Sequence, residues 1–121
     1  MTQPRNIMKN LRVKGYLLSE GIIAGATANA ATNGAVTCPL NEVYSGYITN
    51  ATADITIALA DGVAGQIKII KCETLDTSDV VITPTNLGGY ATITLDTTGD
   101  VVVLVFDGTN WQIVSSTATL A

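Results

Sequence analysis

The residues of this chain whose types could do chemistry are mostly carboxylates. Asp76 and Asp79 bracket the stretch DTSD, Asp96 and Asp100 bracket DTTGD, and Asp107 opens DGTN. Paired carboxylates are the minimum for glycoside hydrolysis, one acting as acid and the other as base or nucleophile. Closely spaced carboxylates also supply the oxygens that calcium takes. Neither pattern is complete. No two acids stand out as a pair, and neither stretch has the D-x-[DN]-x-[DN]-G loop with its closing Glu. All five flank turn-forming residues, where aspartate is favoured because its side chain bonds nearby backbone amides. They read first as turn formers, and neither a metal nor another cofactor is expected.

The other reactive side chains add little. The chain has no histidine, which removes Ser-His-Asp and Cys-His catalysis and the usual zinc and copper ligand sets. Its two cysteines, Cys38 and Cys72, lie outside any C-x-x-C or zinc pattern and read as buried free thiols rather than a bridge. Gly88-Gly89 lacks the strand, the helix and the motif of a phosphate loop, so a turn is the simpler account. Trp111 has two readings, a loop tryptophan that stacks on a sugar, or a packing residue in the core or in a subunit interface; packing is favoured. Tyr16, Tyr44, Tyr47 and Tyr90 are too scattered to form an aromatic platform. No catalytic residue is assigned.

The elements that carry these residues are strands. Val, Ile and Thr are abundant, and β-branched side chains fit a pleated sheet better than a helix. EVYSGYIT alternates, as does ADITIALADG, which sets Ile55, Ile57 and Leu59 against Asp54, Thr56 and Ala58. QIKIIKCE, VVIT, ATITLD, DVVVLVF and WQIVS continue the series between turn-rich breaks, and LRVKGYLL adds a strand near the start. GIIAGATANAATNGAVT, with three glycines, reads as a loop with Asn33-Gly34 as a tight turn. About eight strands at spacings of roughly 8–12 residues, with almost no helix, leave the signature of a sandwich, jelly roll or small barrel. The unbroken apolar run from Val101 to Phe106 implies a strand covered on both faces, at the centre of the domain or against a neighbouring subunit.

Length and composition agree with a single compact domain. The chain has 121 residues, 47% of them hydrophobic and 13% charged, so much of its surface is expected to be covered, and self-association fits. No run of about 18 apolar residues occurs and no signal peptide is recognised, so no membrane partner is expected. The net charge of −4 conceals a division. The first twenty residues carry Arg5, Lys9, Arg12 and Lys14 against Glu20, whereas residues 21–121 carry Lys68 and Lys71 against nine acids. A short basic arm is joined to an acidic body. Four spaced charges with little aromatic interleaving are a poor nucleic-acid footprint, so the arm is expected to contact an acidic protein surface instead.

Residues 65–114 carry a further signal. Gly65-Gln66-Ile67-Lys68, the ITPTNLGG turn from Ile82 to Gly89, TITLDTTGD from Thr92 to Asp100, and VVVLVFDGTNWQIV from Val101 to Val114 follow one another in order. This series resembles a module of virion structural proteins of tailed bacteriophages. The closing SSTATLA departs from the glycine-rich ending of that module, and the first sixty residues lie outside the likeness. The resemblance implies a β-structured virion part, often trimeric, of the kind that decorates capsids or builds fibres.

Together these readings give an all-β chain, a single antiparallel β-sandwich or jelly-roll-like domain over residues 21–121 behind an extended basic N-terminal arm over residues 1–20. The expected function is that of a bacteriophage capsid decoration, or cement, protein, not an enzyme. Arg5, Lys9, Arg12 and Lys14 would bind the major capsid protein, and Val103, Val105 and Trp111 would lie in the interface of a homotrimer. It would be made in the host bacterial cytoplasm and reside on the capsid surface. The alternative is a head or tail fibre, or spike module, that binds host surface polysaccharide.

Overall fold

The structure, a computed structural model, describes residues 25–31, 34–49 and 53–121. Every regular element among them is a strand: β1 (Gly25–Ala31), β2 (Gly34–Thr37), β3 (Glu42–Thr49), β4 (Ile55–Leu59), β5 (Ile67–Thr74), β6 (Val80–Pro84), β7 (Ile93–Leu95), β8 (Val101–Phe106), β9 (Trp111–Ser116) and β10 (Thr119–Leu120). They form two five-stranded sheets. Sheet A has the order β1-β3-β5-β8-β9 and sheet B the order β10-β7-β6-β4-β2.

The all-β expectation holds, but both sheets are mixed where antiparallel neighbours were expected. From β1 to β6 the chain changes sheet at every strand, so β1, β3 and β5 run parallel in sheet A, and β2, β4 and β6 run parallel in sheet B. Parallel neighbours cannot be joined by a tight hairpin and need a crossover. Here each crossover is a strand of the other sheet. Alternation reports which side chains face inward but says nothing of partner direction, which is why the winding was missed. Tyr44 pairs with Ile69 and Ile55 with Val80, so both sheets advance by the same number of residues over that turn. From β7 onward the direction reverses, and the pairs β6–β7, β5–β8, β8–β9 and β7–β10 are antiparallel.

Inward side chains from both sheets meet in one core. Sheet B contributes Ile55, Ile57, Leu59, Val80, Ile82, Ile93 and Leu95; sheet A contributes Tyr47, Ile70, Cys72, Val102, Leu104, Phe106 and Trp111. Each fully buried aliphatic side chain stabilises the fold by about 1.5–3 kcal/mol, so the period-2 pattern of β4 and β8 fixes which face points inward.

Residues 25–37, read as part of a loop, contain β1 and β2 instead. Their Gly, Ala, Thr and Asn residues have weak strand preference, and the parallel ladders to β3 and β4 override it. The expected arm, the strand LRVKGYLL and Asn33 lie outside the described residues.

The β8–β9 hairpin turns at Asp107–Asn110, closed by the Asp107 amide donating to the Asn110 carbonyl at 3.0 Å. Gly108 adopts φ +99° there, a conformation costly for any residue with a Cβ. Gly108→Val is therefore expected to destabilise the protein by about 1–2 kcal/mol through backbone strain. Thermal or urea unfolding checks this, and an unchanged midpoint would remove strain from the account of the turn.

Candidate functional site

Two places gather side chains that could serve a function: a buried polar cluster under the loop from β2 to β3, and the outer face of sheet A. The cluster is built on Lys68. Within β5, Lys68 occupies the same inward phase as Ile70 and Cys72, and it is fully buried. An ammonium group taken out of water costs several kcal/mol unless its protons find acceptors. Its Nζ donates to the Glu42 carbonyl oxygen at 2.8 Å and to Ser45 Oγ at 2.7 Å. The Ser45 hydroxyl donates in turn to Glu42 Oε1 at 3.3 Å. Beside them, Gln66 Nε2 donates to the Leu40 carbonyl oxygen at 2.7 Å, and Gln66 Oε1 accepts from the Val63 amide at 3.0 Å.

A serine within hydrogen-bond reach of a lysine is one of the known nucleophile–base arrangements. Here the polarity runs the wrong way for that chemistry. Lys68 donates to Ser45 and does not accept its proton, and both side chains are fully buried, out of reach of a substrate. The arrangement ties β5 to β3 and to the loop before it. Sequence reasoning missed it because Lys68 stands in an apolar run as an ordinary solvent-facing cation would.

Tyr47 lies in the same layer, its hydroxyl buried against the Cys38 thiol, a soft and weak partner, and without a well-formed hydrogen bond. Burial, followed by the neighbouring Cys38 and Glu42, raises its pKa far above the usual phenol value, so it stays protonated. Cys38 and Cys72 are both free and buried, and burial, then Asp100 and Asp79, raises the Cys72 pKa away from the reactive thiolate.

The acids divide by what they bond. Asp100 Oδ2 accepts from the Asp96 amide at 3.1 Å and the Thr97 amide at 3.0 Å, while its Oδ1 accepts from Thr117 Oγ1 at 3.1 Å. Asp107 Oδ1 accepts from the amides of Asn110 and Thr109, and its Oδ2 from Gln112 Nε2, which together lower its pKa. Asp96 accepts from the Thr119 and Thr97 hydroxyls. Asp54 Oδ1 accepts from the Asp79 amide at 2.9 Å. Because Ile55, Val80 and Leu95 pair in register, Asp54, Asp79 and Asp96 form a row along one end of sheet B. Among the described residues, no three acids or cysteines are placed to hold a metal ion.

Trp111 is fully buried. Its Nε1 donates to the Ala60 carbonyl oxygen at 2.9 Å, and its ring meets Phe106 edge-on at 5.2 Å. It belongs to β9 of sheet A and is anchored to the chain leaving β4 of sheet B, so it clasps the two sheets together. It serves the chain's own core and leaves no exposed side chain for a neighbouring subunit or a sugar. The Cβ of a residue other than glycine at position 62 would stand 3.0 Å from the Trp111 ring and 2.5 Å from Gln66 Oε1, which is how closely that loop covers the tryptophan.

No known family model matches the chain, and no curated protein matches it. The four stretches from residues 65–68, 82–89, 92–100 and 101–114 have structural parts to play in this fold. Gly65, Gly89, Gly99 and Gly108 have positive φ, and each falls in one of those pieces. Gln66, Lys68, Asp100, Asp107 and Trp111, also within them, hold turns, loops or core. These motif residues build the fold.

The outer face of sheet A is different. Ile67, Ile69 and Lys71 on β5 stand beside Val105, Val103 and Val101 on β8, and Val114 lies in a bulge of β9, 63% exposed. Tyr44 is opposite Ile69, and its hydroxyl donates to Glu73 Oε1 at 2.5 Å. That bond, with burial and the Glu73 charge, pushes the Tyr44 pKa up to about 12. Val103 and Val105, expected at an interface, thus lie on an outward face. Arg5, Lys9, Arg12 and Lys14 lie outside the described residues.

Two outcomes are expected from the cluster and the acid row. Lys68→Met removes the donor shared by the Glu42 carbonyl and Ser45 Oγ, costing about 1–3 kcal/mol, whereas Tyr47→Phe removes a hydroxyl that makes no well-formed hydrogen bond and leaves stability unchanged or higher. Unfolding midpoints of the two variants decide it, and a stable Lys68→Met protein would contradict the bonding role. Burial first, then Asp54 and Asp96, raises the pKa of Asp79, so its ionised form opposes folding once pH has risen through that raised value. Asp79→Asn should raise the melting temperature at pH 7, and the gain should fade as pH drops through the carboxyl range. A gain independent of pH would contradict the charge argument.

Proposed function

We propose that this chain is a bacteriophage capsid decoration protein that binds the outside of the major capsid shell and stabilises it without chemistry. The observation that carries this reading is the use of the chain's reactive side chains as framework. Lys68, Ser45, Asp100, Asp107 and Trp111 are committed to bonds within the fold, and what remains for a partner is surface. A cement protein needs adhesive surface and a stable body and nothing more. The resemblance of residues 65–114 to virion modules points the same way.

In this reading the two sheets pack face to face as a β-sandwich, which the shared core and the Trp111 clasp support. The basic segment with Arg5, Lys9, Arg12 and Lys14 lies on the shell, and the body stands above it as a homotrimer. Several weak attachments on one oligomer then add by avidity, since each further arm binds at the effective concentration set by the first. A fibre or spike that binds polysaccharide would instead ask for exposed aromatic side chains over which a sugar could stack. Trp111 is buried, and among the described residues the exposed aromatic side chain is Tyr90, a single ring and not a stacking platform.

Removing residues 1–14 is expected to abolish attachment to capsids while the body keeps its unfolding midpoint. Cosedimentation with undecorated capsids reads the first and thermal unfolding the second. Full occupancy by the truncated protein would overturn the arm's role. Copy number separates the readings, with hundreds per particle expected for cement and at most a few dozen for a fibre.

A further inference from the structure

We propose that the outer face of sheet A is a self-association surface, covered in solution by a second copy of this chain. The argument begins with a contrast between the two sheets. A sheet face turned to water alternates to polar side chains. Sheet B largely follows this rule, with Thr56, Thr83 and Thr94 opposite the inward Ile and Leu positions of their strands and only Ala58 and Val81 as apolar neighbours on the outer side of β4, β6 and β7. Sheet A does not. Its central outward positions are aliphatic, Ile67 and Ile69 on β5 and Val101, Val103 and Val105 on β8, continued by the bulged Val114, while Lys71 on β5 and Gln112 and Ser115 on the edge strand β9 are its polar members; Ile67 and Val114 are 41% and 63% exposed. An apolar patch of this kind marks an interaction site.

Charge selects the occupant. The body is acidic, and two copies approaching at random repel each other. Its aspartates sit at strand ends and turns: Asp54, Asp76, Asp79, Asp96 and Asp100 at one end of the sheets, Asp61 and Asp107 at the other. Among the described residues, the charges on the outer face of sheet A are Lys71 and Glu73, one of each sign, and Glu73 is bonded by Tyr44. Two copies can therefore meet on this face without opposing their aspartates. The face also lacks the concentrated charge that a basic or acidic partner would require. A flat apolar sheet is complemented by another one about 10 Å away, and a like face on a second copy meets that need.

Size then sets the strength. Five strands about 4.8 Å apart and six to eight residues long at ~3.3 Å per residue span on the order of 500 Å². A standard stable interface buries about 800 Å² per partner. Association through this face alone is expected to be concentration-dependent, not obligate. The proposal deepens the self-association named above but does not involve the shell, so its failure leaves capsid binding untouched.

The test is sedimentation velocity on the full chain from low micromolar to high micromolar concentration. The wild type should form dimers or trimers as concentration rises. Ile67→Lys/Val114→Lys should raise the dissociation midpoint at least about tenfold, the loss expected from burying two charges in place of two aliphatic side chains. Thr56→Lys, which adds one of the same charges to the outer face of sheet B, should leave the wild-type midpoint in place. Emission from the buried Trp111 reports whether each variant is folded; should the double variant lose it, Val114→Asn at the most exposed position takes its place. A wild type that stays monomeric throughout, its face covered by its own first residues or reserved for the shell, overturns the proposal. So does an oligomer that the sheet A variants leave unchanged.

Discussion

The structure depends on one constraint: between β1 and β6 the chain crosses to the opposite sheet after every strand. Neighbours within each sheet are then necessarily separated by a strand of the other, and they run parallel. Because the crossovers are themselves strands, every one of them must present an apolar face inward, and the two sheets are tied to a single core. The antiparallel pairs contributed by β7 to β10 complete the sheets without altering that arrangement. Trp111 then links the end of sheet A to the chain leaving β4, bonding through its indole nitrogen where its ring is out of water.

This winding absorbs the side chains that would otherwise have been candidates for chemistry. Lys68 is carried inward by the phase of β5 and has to spend its protons on Glu42 and Ser45. Asp100 and Asp107 cap turns between strands. The glycines with positive φ sit where the chain reverses or changes sheet. What the fold leaves available are its surfaces, and they are unequal: threonine-rich on sheet B, aliphatic on sheet A.

Much of the strand framework was legible because alternation is a direct imprint of burial. Ile55, Ile57 and Leu59 announced β4, and the valine run announced β8, including its outward members Val103 and Val105. The turn at Asp107-Gly108 was legible because few residues tolerate positive φ. Three features left no such imprint. β1 and β2 are held by backbone pairing to β3 and β4, and Gly, Ala and Thr side chains give no periodic signal. Partner direction is a property of connection, which no single strand records. In IKIIKCE the residues Ile67 and Ile69 compete with Lys68 and Ile70 for the inward face, and charge alone would choose the wrong pair. For the tryptophan, packing was the favoured reading but not its place, in the core or in a subunit interface, and the hydrogen bond to Ala60 puts it in the chain's own core.

Cross-strand nuclear Overhauser contacts in the folded protein test this account most directly. The parallel winding is expected to give Ile57–Ile82 and Tyr44–Ile69 contacts, with the staggered amide-to-Hα pattern of parallel neighbours and without close Hα–Hα pairs between β4 and β6 or between β3 and β5. Strong Hα–Hα contacts between those strands would make them antiparallel, undo the crossovers, and with them the sorting of side chains into core and outer face.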